Sequence, residues 1–234
     1  MPPKQGRATP LDRTAVLAEA VVLADEGGLA AISMRALAAR LGVVPMALYK
    51  HVADRADLVG GMIDTVVQTY PTPDDDGWQA RVRARALAAR DAQEQHPWMR
   101  AAIDEAERPT LTTLAYMDAV AADFIDDGFS VDLTHYAMHA LGHRIWGYST
   151  EAFRSAPAGA DDEAAAAMLA AQFPHVASIA MDTAMRNPAG ACDERHEFAF
   201  GLDLLLDAFA RLREAGWVSA VPDASLSRPA SPST

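Results

Sequence analysis

An all-α fold is predicted by three features of this 234-residue chain. Alanine is abundant and β-branched runs are few, a composition of high intrinsic helix propensity. Apolar residues recur at three- and four-residue intervals, and no alternation of the strand kind persists. Glycine, proline and capping residues cut these periodic stretches into roughly nine or ten helices. The expected architecture is an N-terminal three-helix helix-turn-helix domain followed by a larger helical domain. No internal repeat is visible.

Half of the residues are hydrophobic (50%), enough for a sizeable core. No run of about 18 apolar residues occurs, so no membrane partner is expected. The opening MPPKQGRATP has no apolar core of a secretory signal. Cys192 is the only cysteine, so no internal disulfide is possible, which fits a reducing cytoplasm. The net charge of −12 looks unsuited to a nucleic-acid binder, but its distribution is uneven. Residues 1–70 carry seven Lys/Arg and seven Asp/Glu, whereas residues 71–234 carry 13 against 25. The acidic part is expected to face away from DNA, leaving affinity to a few placed contacts.

Residues 1–10 read as a flexible arm whose Lys4 and Arg7 suit a groove or phosphate, or as a plain disordered terminus. Asp12 caps the first helix and Leu11 staples it against Val16. Val16, Ala20, Leu23 and Ala24 form one face, and Gly27–Gly28 stops it. Ser33 caps a second helix with Leu37, Ala38 and Leu41 inside. Gly42 supplies the left-handed position that ends it. Pro45 suits the first turn of a third, short helix, although Val44 is a poor cap. Leu48 and Val52 face inward, while Met46, Tyr49, Lys50 and His51 are left outside. A short helix presenting Tyr, Lys and His, propped by a preceding helix, is a helix-turn-helix arrangement. Asp54 caps the next helix, with Asp57 in its first turn and Leu58, Met62, Ile63, Val66 and Val67 inside. This first domain covers residues 11–70.

PTPDDDG, residues 71–77, marks a domain boundary. In the second domain, residues 78–220, Trp78 to Gln95 is helical, with Arg81, Arg83, Arg85 and Arg90 expected to be solvated. A segment from Trp98 to Glu107 follows. Pro109 begins a helix to about Asp127, and Asp132 another to about Phe153. Residues 155–163 and 187–193 read as loops, flanking an alanine-rich helix (164–171) and a helix from Phe173 to Arg186. Glu194 to Glu214 is the last helix. Residues 221–234, rich in Pro and Ser, are expected to be disordered.

MRALAARLGVVPMALYKHVADRADLVGGM (34–62) resembles the DNA-binding domain of the tetracycline-repressor (TetR) family. Leu41–Gly42–Val43, Leu48–Tyr49, His51–Val52 and Arg55 carry the specificity of the match. RPT (108–110), DGFS (127–130), GHRIWG (142–147) and FAFGLDLLLDAF (198–209) fall in the order found in the family's regulatory domain. The resemblance implies binding to double-stranded operator DNA through Arg35, Pro45, Met46, Tyr49, Lys50, His51 and Arg55. Arg35 matches an arginine that reads a guanine, and Tyr49, Lys50, His51 and Arg55 are expected mainly on phosphates. It also implies a homodimer joined by a four-helix bundle, here about 132–150 and 194–214. Phe198, Leu202, Leu205, Leu206 and Phe209 offer an apolar stripe for that bundle, or for the subunit's own core.

The resemblance further implies an effector pocket. Its wall would include Arg108, Pro109, Met117, Val120, His135 and Met138, unless these simply pack the core. Asp104 replaces the histidine that helps hold the drug's magnesium in the tetracycline repressor, and Glu151 matches a glutamate that assists through water. Val67 and Arg85 differ in kind from the residues that read the drug's polar edge. Magnesium–tetracycline is therefore expected to be a poor fit. A planar organic molecule with an acidic or phenolic oxygen suits the wall better.

His135, His139 and His143 stand at i, i+4 and i+8, with Glu151 eight residues further. That is metal-ligand spacing, but no HExxH base accompanies it. The histidines equally suit a partly polar interior, a subunit interface or a ligand pocket. No catalytic serine–histidine–aspartate order, phosphate loop or cysteine cluster is present, and no cofactor, metal site or enzyme activity is expected. The predicted function is a ligand-responsive, sequence-specific repressor released from a palindromic operator by a small organic molecule. The alternatives are a metal- or cofactor-dependent helical enzyme on the histidine face, and a regulator without small-molecule input.

Overall fold

The computed structural model describes residues 11–74, 77–147, 168, 170–186 and 193–220, and all regular structure among them is helical. Three helices and a short fourth build the first layer: α1 (Arg13–Gly27), α2 (Met34–Leu41), α3 (Pro45–Leu48) and α4 (Arg55–Val67). Their starts are fixed locally. Asp12 accepts from the Ala15 amide, Ser33 from Ala36 and Asp54 from Asp57, each satisfying a donor that the first helical turn leaves unpaired. Gly42 ends α2 at φ 69°, a left-handed conformation that lets its amide bond back to Ala38 and Ala39. Val16, Ala20, Leu37, Leu48, Val52, Leu58 and Met62 are buried together between these helices.

The second layer contains α5 (Trp78–Gln95), α6 (Met99–Glu105), α7 (Leu111–Ile125) and α8 (Val131–Trp146), and after the largely exposed α9 (Pro174–Arg186) it is completed by α10 (Glu194–Glu214). Trp78, Val82, Phe124, Phe129, Leu133, Leu141, Phe198, Leu202 and Phe209 form its core. Trp78 meets Phe129 edge-on at 4.7 Å between centroids, the tilt that aromatic quadrupoles favour. Gly201 leaves room for the Arg144 side chain of α8 against α10, since a Cβ there would stand 2.9 Å from the guanidinium carbon.

The helix α6 belongs to the first core as much as to the second layer. Trp98, Met99 and Ala102 are buried among the residues of α1 to α4. The carboxylate of Asp25 on α1 lies 2.7 Å from both His96 Nδ1 and Trp98 Nε1, which fixes that approach.

Four expectations need correction. Of the α5 arginines, Arg81, Arg85 and Arg90 are withdrawn from solvent, while Arg83 stays in an exposed pair. Arg81 and Arg85 place their Nε atoms 2.7 and 2.6 Å from Asp123, Arg83 pairs with Asp203 at 2.7 Å, and Arg90 is buried beside Glu94. The helix expected to run to Phe153 ends at Trp146, where the Gly147 amide closes on the His143 carbonyl. The stripe Phe198, Leu202, Leu206 and Phe209 is buried in its own subunit, with Leu205 partly buried against it. Phe200 and Leu204 are the large apolar residues that α10 leaves outside, 64% and 53% exposed. Finally, Pro109 precedes rather than begins α7, which Thr110 caps through the Thr113 amide. The expected arm 1–10, the alanine-rich helix 164–171 for the most part, Cys192, Glu151 and the tail 221–234 lie outside the described residues.

Candidate DNA-reading face and effector cavity

The first core leaves one outer edge of α2 and α3 for contact. Arg35 sits exposed on the first turn of α2, and Pro45 is exposed at the start of α3. Met46 is 73% and Tyr49 50% exposed, although both are large and could have been buried; Lys50 is exposed beside them. The edge is braced from behind. Arg13 holds Asp57 through both terminal nitrogens, at 3.0 and 2.7 Å, and donates to the His51 carbonyl at 2.7 Å. Asp57 also accepts from the Ala53 amide at 2.8 Å, which ties the end of the reading segment to α4. The Arg13 guanidinium and that amide hold the Asp57 carboxyl below its ordinary range despite partial burial.

Arg55 is placed differently from the other expected DNA contacts. Its Nε and Nη2 donate to the two oxygens of Glu105 on α6 at 2.8 and 3.2 Å, and its Nη1 to the Ile32 carbonyl at 2.6 Å. All three nitrogens are thus engaged inside the molecule. Arg55 joins the reading unit to α6.

Behind α4 lies a cavity of about 840 Å³. Asp104, Arg108, Pro109, Met117, Val120, His135 and Met138 all line it, as do Val67 and Arg85. The sequence did not single out Gly60, Tyr70 or Tyr116 on the same wall. His139 and His143 reach it too, with ring centroids of His135 and His139 4.5 Å apart and those of His139 and His143 6.3 Å apart. Among the described residues no group of three or more His, Cys, Asp and Glu is arranged to hold a metal ion. The three histidines form a ring ladder along one helix, with no carboxylate completing a ligand set among the described residues.

Cation charge exceeds anion charge on the described lining, with Arg85, Arg100 and Arg108 set against Asp104. Arg100 is 3.0 Å from Asp104 and also donates to the Trp146 carbonyl. Burial pushes the Tyr116 phenol up to about 12, and that of Tyr70 higher still. No helix among the described residues is long and apolar enough to cross a membrane.

Comparison with known proteins places this geometry. Residues 16–62 match the family model described as bacterial regulatory proteins, tetR family. Residues 70–212 match the tetracyclin repressor-like C-terminal domain. The chain belongs to the TetR family of regulatory proteins. It is 35% identical over 100 residues to the HTH-type transcriptional repressor DrrR1 of Streptomyces coeruleorubidus, a match spanning 42% of this chain and 37% of that one. It is 31% identical over 144 residues to the class C tetracycline repressor protein of Escherichia coli, spanning 57% of this chain and 62% of that one. The matched stretches thus span less than two thirds of these relatives' length. A TM-score of 0.65 relates the fold to the Streptomyces coelicolor TetR family protein ActR solved in complex with actinorhodin, at 21% identity over 87% of this chain and 98% of that one.

Proposed function

We propose that this protein is a cytoplasmic, homodimeric repressor that binds a palindromic operator and is released by a small planar organic molecule. The observation that carries this reading is the position of α4. Its N-terminal end holds Asp57 and Arg55, which brace the reading unit and α6. Its other face presents Gly60, Ile63 and Val67 to the cavity. A ligand that fits the cavity better in one placement of α4 than in another shifts the reading heads by that difference in affinity alone. A hundredfold loss of DNA affinity needs about 2.7 kcal/mol of such coupling.

In this reading Arg35 contacts a guanine, Met46 offers apolar contact to a thymine methyl, and Tyr49, Lys50 and His51 hold phosphates. Phe200 and Leu204 on α10, with the neighbouring surface of α8, form the subunit interface. The names of both relatives as repressors support the regulatory role over an enzyme. Magnesium–tetracycline is a poor effector here, because Asp104 stands paired with Arg100.

Operator release, followed by fluorescence anisotropy over a panel of planar aromatic acids and phenols, tests the proposal. One class of compound should release the DNA. Arg108→Ala with His135→Ala should then raise its half-effective concentration about tenfold or more and leave DNA binding intact. Unchanged induction in that variant moves the effector to another site, and efficient release by magnesium–tetracycline overturns the specificity argument.

A further inference from the structure

One corner of the cavity holds hydrogen-bond donors that the protein itself does not use. The rings of Tyr70 and Tyr116 meet edge-on, 5.2 Å between centroids, and the Arg85 guanidinium carbon stands 5.9 Å from the Tyr116 ring centroid. All three residues line the cavity. The Tyr116 hydroxyl is occupied, donating to the Arg85 carbonyl at 3.2 Å. The Tyr70 hydroxyl is buried and has no hydrogen-bond partner among the described residues. Native interiors seldom leave such a group unmatched, and an unmatched donor beside a cavity points to a ligand acceptor.

Arg85 is in a similar position. Its Nε donates to Asp123 at 2.6 Å, and no acceptor among the described residues meets its two terminal nitrogens. Asp123, only 7% exposed, also accepts from Arg81 at 2.7 Å, so its charge is divided between two guanidiniums. Both phenols are protonated at neutral pH, as phenols ordinarily are, and burial only raises them further, while arginine stays charged throughout that range. The corner therefore offers donors and positive charge. Around it, Ile63, Val67, Val82 and Met99 are apolar and suit the flat body of an aromatic molecule.

We propose that Arg85 and Tyr70 form an oxyanion subsite, taking the carboxylate or ionised phenol of a planar aromatic ligand. The proposal rests on the cavity being the effector site, and it places the ligand's charge against Tyr70, three residues beyond the end of α4. Charge-assisted hydrogen bonds to two donors then discriminate an anion from its neutral isostere.

The test compares anthraquinone-2-carboxylate with anthraquinone-2-carboxamide on the full chain, by titration calorimetry and by anisotropy of the bound operator. The carboxylate should bind at least about tenfold more tightly. Arg85→Gln and Tyr70→Phe should each bring the two ligands to within about threefold, with amide affinity unchanged. Tyr70→Phe removes only an oxygen without a partner, so its melting temperature should hold or rise, and a lost preference cannot be blamed on unfolding. Equal binding of the two compounds, or a preference that survives both substitutions, overturns the subsite. If both bind alike and release DNA, the effector reading stands and the subsite alone falls. If neither binds nor changes DNA affinity, both fall.

Discussion

Arg35 and Arg55 are both arginines near the reading edge, yet their surroundings assign them different work. Arg35 is exposed on α2, while Arg55 spends its nitrogens on Glu105 and the Ile32 carbonyl. Arg35→Ala should weaken specific binding by about 1–3 kcal/mol and relax one operator position, measured by competition with single-base operator variants. Arg55→Ala should leave base preference unchanged and shift effector response instead. Its pair with Glu105 is partly exposed on both sides, so that pair should contribute less than about 1 kcal/mol to stability. An Arg35→Ala protein with undiminished discrimination would remove the base-reading role. The sequence placed both arginines on DNA, Arg35 at a guanine and Arg55 at a phosphate. The pairing of Arg55 with Glu105 on α6, 50 residues away, was not legible there.

At the scale of helices, local chemistry was legible and distant pairing was not. Asp12, Ser33 and Asp54 could be named as caps because a cap and its amide lie within three residues. The α5 arginines could not be placed, because Asp123 and Asp203 lie 38 to 120 residues along the chain. Nor could the apolar positions of α10 be divided between core and interface, since its stripe is wider than one neighbour covers. The fold assigns Phe198, Leu202, Leu206 and Phe209 inward and leaves Phe200 and Leu204 outward. Leu204→Glu should therefore preserve the monomer's helicity but give a monomer in sedimentation, with operator affinity lost. Inserting a carboxylate at an apolar contact without a partner prevents closure of the interface. A stable Leu204→Glu dimer with normal DNA affinity would place the interface elsewhere.

For the whole molecule, the charge balance sets how DNA must be recognised. The chain carries −12, yet its first 70 residues are balanced, so long-range attraction contributes little and contacts at the reading edge must supply specificity. The cavity wall was legible in outline, with seven of the expected residues lining it, because the motif order positions whole helices. Tyr70 and Tyr116 were not, because their role depends on the meeting of the chain after α4 with α5 and α7. The central claim is sequence-specific, paired reading of duplex DNA by two copies of this chain. It is tested most directly by selecting duplexes from a random library and measuring anisotropy on the winner and a scrambled control at one salt concentration. The account predicts a palindrome whose half-sites lie about 34–36 Å apart, bound two subunits per duplex. It should be bound at least about 1,000-fold more tightly than the scrambled control. Equal affinity for both duplexes, or recovery of no common sequence, would contradict it.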